Sequence, residues 1–238
     1  MAIEYTDFSS GELSIYAQVF VYGGNRSGKT WFASTFPNPL FIVTENGVNG
    51  LILRKTPGKF VKIEKFEDIF SVFADLKNKK IECESIVIDT LSQITSLVMD
   101  AVSKETGKPL AKFSQYEWSI CKDKLRMVFS NLLELNKNHH ICVTAQEIVK
   151  DKEGESGTDY YGPDTLGTFR EQGPGYFDWF LYAESMTVAQ KTEYALYTSK
   201  RRNWPAGDRL NILSPKEPND FNVLLAKLRA AVSSRQGA

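Results

Sequence analysis

Eight residues near the start of the chain, Gly23-Gly24-Asn25-Arg26-Ser27-Gly28-Lys29-Thr30, fit the pattern G-x-x-x-x-G-K-[ST]. Residues of these types at this spacing bind phosphate. Small side chains let the backbone turn tightly, so that successive N–H groups converge on one cluster of anionic oxygens. The lysine reaches the β- and γ-phosphates of a nucleotide, and the hydroxyl after it takes a place on Mg2+. Composition alone would produce such a match in about one chain of this length in a hundred. The flanking residues agree with it. Gln18 to Tyr22 reads as a buried strand and Trp31 to Phe36 as a short helix, and strand, loop, helix is the order the motif requires. The ligands predicted are ATP and Mg2+, with Gly23 to Trp31 around the phosphates.

Three more polar residues end apolar runs. Ile86-Val87-Ile88-Asp89 closes a strand with a carboxylate, at the carboxyl edge where open α/β sheets bind ligands. Asp89 is placed to hold, through water, the metal that Thr30 contacts; the other reading is an N-cap for the next helix. Glu45 follows Phe41-Ile42-Val43-Thr44 and is either the carboxylate that polarises an attacking water or a solvated turn residue. Gln146 follows Ile141 to Ala145, where it either senses the γ-phosphate or merely ends a strand. The two histidines, His139 and His140, are adjacent and read as a helix-to-strand turn without a catalytic part.

These residues need a scaffold, and the pattern supplies one. Pro39 to Thr44, Phe60 to Ile63, Ser85 to Ile88 and Ile141 to Ala145 read as further strands. Helices alternate with them near 66–78, from Leu91 to Ala101, and through Trp118, Cys121, Leu125, Phe129 and Leu132. Consecutive apolar residues in the strands imply burial on both faces, and the alternation implies a mostly parallel sheet. Ser103 to Lys112 reads as a loop. Residues 147–176 show no period and read as one long loop, a length usually functional or disordered. Beyond it, Phe177 to Ala183, Glu193 to Thr198 and Arg209 to Leu213 read as strands, antiparallel at one sheet edge. A closing helix at about 219–233 uses Phe221, Leu224, Leu225, Leu228 and Val232.

Composition limits the rest. The 238 residues are 42% hydrophobic and 24% charged, with a formal net charge of zero, so nucleic acid must be met by a local patch. Cys83, Cys121 and Cys142 are far apart and form no C-x-x-C pair, which argues against zinc and for a reduced, cytoplasmic compartment. No basic-plus-apolar leader and no membrane-length apolar run is expected. One domain spanning 1–238 is expected, with its core at about 17–213.

Together the loop 23–30, Thr44-Glu45-Asn46-Gly47, Ile86-Val87-Ile88-Asp89 and Thr144-Ala145-Gln146 resemble the RecA-like recombinase ATPases. The compact phage-encoded members, some acting in single-strand annealing and recombination, are the most similar; the long segment before Gly175-Tyr176-Phe177-Asp178 fits them too. The resemblance implies a RecA-like P-loop ATPase core in which Glu45 is the catalytic glutamate and Gln146 the switch. It places Ser103–Lys112 and Glu147–Tyr176 where two DNA-binding loops lie, making Lys108, Lys112, Lys152, Tyr160, Tyr161 and Arg170 candidate contacts to single-stranded DNA. Lys200 and Arg201 become candidates for cations delivered to a neighbouring subunit's γ-phosphate. The partners implied are single-stranded DNA, further copies in a ring or filament, and a single-strand-binding or replication protein, in a host cytoplasm. The extra C-terminal domain, polymerisation segment and zinc module of larger relatives are not expected. A helicase or helicase loader on the same core, and a P-loop kinase of small molecules, are the competing readings.

Overall fold

The computed structural model describes residues 14–150, 160–167 and 169–236. Strand and helix alternate through β1 (Gln18–Gly23), α1 (Lys29–Ser34), β2 (Pro39–Val43), α2 (Asn49–Leu53), β3 (Lys59–Lys62), α3 (Asp68–Lys77), β4 (Ser85–Asp89), α4 (Leu91–Thr106), α5 (Gln115–Leu135) and β5 (His140–Lys150). There follow β6 (Tyr160–Pro163), α6 (Phe169–Gln172), β7 (Trp179–Val188), β8 (Lys191–Tyr197), β9 (Gly207–Asp208), β10 (Lys216–Pro218) and α7 (Phe221–Gln236).

The main sheet runs β10-β8-β7-β1-β5-β4-β2-β3. From β7 to β3 every neighbouring pair is parallel, whereas β8, β9 and β10 join antiparallel at the β7 edge. The expected α/β class, with a mostly parallel sheet and an antiparallel C-terminal edge, is the observed one. Alternating side chains of the central strands divide between two cores. Phe20, Tyr22, Ile86, Ile88, Ile141 and Val143 pack with the helices α3, α4 and α5. Val19, Val21, Val87 and Cys142 face the other way, toward α1 and α7. Strands covered on both faces have no polar side to show, hence the continuous apolar runs.

Local signals set several boundaries. Ser114 and Glu117 form a capping box that starts α5: the Tyr116 N–H reaches Ser114 Oγ, and Glu117 Oε2 accepts the Ser114 N–H at 2.7 Å. Gly107, at φ 67°, ends α4. The expected loop at Ser103–Lys112 is therefore shorter, since 103–106 are helical and 110–112 form a 3-10 turn. His140 is not in a turn but opens β5; buried, it accepts the Ala17 N–H on Nδ1, and burial pushes its pKa down to about 4.

Two larger expectations are corrected. The described part of 147–176 is not a structureless loop: β5 runs on to Lys150 and pairs antiparallel with β6, Glu147 facing Pro163 and Lys150 facing Tyr160, while residues 151–159 and 168 lie outside the described residues. Arg209–Leu213 is not a strand. The Asp208 carboxylate accepts the N–H groups of Leu210, Ile212 and Leu213 at 2.9, 2.7 and 2.7 Å, and a side chain that gathers three donors from the five residues after it holds a curl that a ladder cannot adopt. Among the described residues no helix is long and apolar enough to cross a membrane.

Candidate nucleotide site

The sheet assembles the site through register. Gly23, the last residue of β1, pairs with Gln146 on β5, and Val43 of β2 pairs with Asp89 of β4. Gln146 does not end its strand as expected, since β5 runs on to Lys150; it lies between the ends of β1 and β4, so that the P-loop, Gln146 and Asp89 share one edge. A cavity of about 490 Å3 lies there, lined by Lys29, Thr30, Trp31, Glu45, Asp89 and Gln146 among others. That volume suits a nucleotide.

Within it, Lys29 is buried and donates to the carbonyls of Gly23 and Gly24, each at 2.7 Å, and more distantly to Gln146 Oε1 at 3.4 Å. Burial lowers its pKa to about 8, opposed by the negative charges of Asp89 and Glu147. Gly28 takes φ 91°, and a Cβ there would meet Asn219 Nδ2 at 2.7 Å and Tyr194 at 2.8 Å. Only glycine fits both the left-handed backbone and the space. Asn219 Nδ2 donates to the Gly28 carbonyl, and the Phe221 N–H donates to Thr35 Oγ1. The start of α7 thus braces both ends of α1.

Thr30 Oγ1 donates to Asp89 Oδ2 at 2.7 Å, while Thr144 Oγ1 donates to Asp89 Oδ1. The N-cap of α4 is Thr90, not Asp89. A hydroxyl and a carboxylate oxygen meeting beside the P-loop are hard oxygen donors of the kind Mg2+ takes, usually with water and substrate phosphate completing its shell. The residues present fit that ion. Glu45 is exposed at the cavity wall, where a 3-10 turn over Asn46–Val48 follows β2.

Four site residues carried no sequence signal. Tyr194 of β8 and Arg54, just past α2, line the cavity, and the Arg54 guanidinium lies 4.9 Å over the exposed Trp31 ring. Asn219 belongs to no motif. Glu147, one residue beyond Gln146, lies so close to the P-loop that a Cβ on Gly24 would sit 2.9 Å from its Oε1. Its Oε2 is buried without a hydrogen-bond partner among the described residues. Burial, then the Glu147 charge, raises the pKa of Tyr182 beside it.

The remaining candidates lie elsewhere. Lys108 is ion-paired at 2.6 Å with Glu117, whose carboxylate also serves the capping box. Lys112 is exposed at the end of a 3-10 turn. Tyr161 packs edge-on against Trp204, and Arg170 is buried over the Tyr160 ring, so these aromatic groups fold back on the protein. Lys152 lies outside the described residues. Arg201 pairs with Glu184 of its own chain at 3.4 Å and covers the Tyr197 ring, whereas Lys200 is exposed.

A family model described as AAA domain matches residues 15–210, a span that includes the P-loop, Glu45, Asp89 and Gln146. Among solved structures, the chain is similar to a KaiC-like protein from the hyperthermophilic archaeon Pyrococcus horikoshii OT3. The two are 13% identical over 78% of this chain and 79% of that one, with a TM-score of 0.45. No curated protein matches the sequence.

Proposed function

The chain belongs to the AAA domain family, and we propose that it is a RecA-like ATPase that binds single-stranded DNA in phage recombination, annealing or replication. Its hydrolytic site would use the residues gathered at the strand ends. Lys29 would exchange the Gly23 and Gly24 carbonyls for the β- and γ-phosphates, stabilising charge where it develops. Thr30 and Asp89 would hold Mg2+, which neutralises the phosphate oxygens when bound. Glu45 would orient a water and take its proton.

The observation that carries the DNA reading is the continuity of β5. Gln146, in reach of Lys29, sits on a strand that runs unbroken into the hairpin with β6. A change at the γ-phosphate could therefore move the segment that the family resemblance assigns to DNA. The protein would work as an oligomer in the host cytoplasm beside a single-strand-binding or replication protein.

The test is ATP turnover with and without an oligo-dT strand, using Lys29→Ala as the control. We expect the strand to raise turnover several-fold and Lys29→Ala to abolish it with the fold intact. Turnover indifferent to the strand overturns the DNA reading, and an active, folded Lys29→Ala protein overturns the site. Unwinding of a forked duplex would move the assignment to a helicase.

A further inference from the structure

A second cavity, of about 530 Å3, lies between α4, α5, residues 164–167 and Arg170. Its walls carry the hydroxyls of Ser92, Thr95 and Thr165, the indole of Trp118, and the cations Lys122 and Arg170.

Arg170 is the informative member. Only 9% of it is exposed, its Nη2 donates to the Thr165 carbonyl at 2.9 Å, and among the described residues its Nε has no hydrogen-bond partner. Among the described residues neither Arg170 nor Lys122 forms an ion pair. Among the described residues Asp164 is the one carboxylate lining the cavity, so the two cations there leave an excess positive charge. The Tyr160 ring, 5.1 Å from the guanidinium, carries no full charge; burial without a counter-charge therefore remains costly, and an anion seated beside it lowers that cost.

The wall opposite in character is aromatic. Trp118 is half-buried and braced edge-on by Phe113, ring centroids 5.3 Å apart, which fixes an indole against which a base could stack. A phosphate joined through a sugar to a flat base is the chemistry of one nucleotide unit. The cavity also touches the ATP site. Ser92 Oγ donates to the Asp164 carbonyl at 2.8 Å and accepts the Gln146 N–H at 3.0 Å.

We propose that this cavity holds one nucleotide of single-stranded DNA, with its phosphate against Arg170 and Lys122 and its base against Trp118. Ser92 then passes occupancy to Gln146, and so to Lys29. The proposal rests on the single-stranded DNA reading given above and adds the place where the strand is held.

Binding of a fluorescein-labelled oligo-dT strand, followed by anisotropy over a salt series, tests it. Lys122→Ala should weaken binding at least fivefold and make the log–log salt slope shallower by about 0.7, the loss of one phosphate contact. Its ATP affinity and melting temperature should stay at wild-type values. Trp118→Phe keeps an aromatic ring, so the fold should survive; in that variant the oligonucleotide should no longer quench tryptophan fluorescence as it does in wild type. If wild type binds the strand while Lys122→Ala keeps its affinity and slope, or Trp118→Phe keeps the quench, the cavity is rejected and the DNA reading stands. If wild type binds no strand at low salt, both fall.

Discussion

The carboxyl ends of the parallel strands and a later region of connecting segments, residues 164–167 and 209–215, are built by different means. At the strand ends the backbone ladder does the positioning: register alone sets Gly23 beside Gln146 and Val43 beside Asp89. In the later region, side chains hold the backbone. Asp208 gathers three N–H groups, Glu217 takes the Ser214 N–H, and Arg170 takes the Thr165 carbonyl. A ladder-built region can carry polar groups at its tips without depending on them for its fold. A region tied by polar side chains cannot lose those side chains so freely.

The largest effect expected of this difference lies at Glu45. It is exposed and makes no side-chain hydrogen bond that caps the turn it begins. Glu45→Gln should therefore leave the melting temperature unchanged and ATP binding near wild type, yet slow turnover by about 10²–10⁴, the usual cost of losing a general base. Steady-state turnover at saturating ATP, beside a thermal melt, decides it. Undiminished turnover would return Glu45 to a turn residue.

Asp208→Ala should do the reverse. Three backbone donors lose a charged acceptor in a partly buried setting, for a loss of about 2 kcal/mol after solvent takes up part of the bonding. For a chain of this size that lowers the melting temperature by about 5 °C. ATP affinity should not move, because Asp208 lies outside the nucleotide cavity. A large loss of ATP affinity in a folded Asp208→Ala protein would break the contrast, showing that the two regions are one energetic unit.

The same contrast explains what could be read from the chain. The P-loop, the buried strands and the carboxylate after Ile88 are written in consecutive residues, so composition and spacing reveal them. The Ser114–Glu117 capping box is also local and legible in principle. Tyr194 and Arg54 line the nucleotide cavity, and Asn219 bonds the Gly28 carbonyl beside it, only because β8, α2 and the start of α7 pack around the P-loop, and no local rule points to them. The stretch 209–213 is apolar enough to pass for a strand, and only the Asp208 carboxylate, bonding forward along the chain, makes it a curl. The hairpin of β5 and β6 was hidden because Glu147 to Lys150 mixes charged and branched residues, and its partner strand contains a glycine and a proline.

The smallest predicted effect separates the two regions by pH. Lys29 is held by burial to a pKa of about 8, with the Asp89 and Glu147 charges limiting the drop. A triphosphate binds the ammonium form and favours it further, so the pKa is higher in the complex than in the free protein. Binding is then linked to proton uptake once the free protein begins to lose that proton. Affinity for ATP should be flat up to about pH 7.5, where Lys29 is already charged, and then fall with rising pH. The fall approaches tenfold per unit above pH 8, until the pKa of the complex is reached. Binding isotherms at fixed Mg2+ and ionic strength from pH 7.5 to 9.5 would show it, since the phosphates of ATP are ionised throughout. Asp208→Ala should trace the same curve, being remote from Lys29. A flat wild-type profile would mean that Lys29 is fully charged at pH 9 in the free protein, and that the carbonyls of Gly23 and Gly24 compensate for burial more than its surroundings suggest.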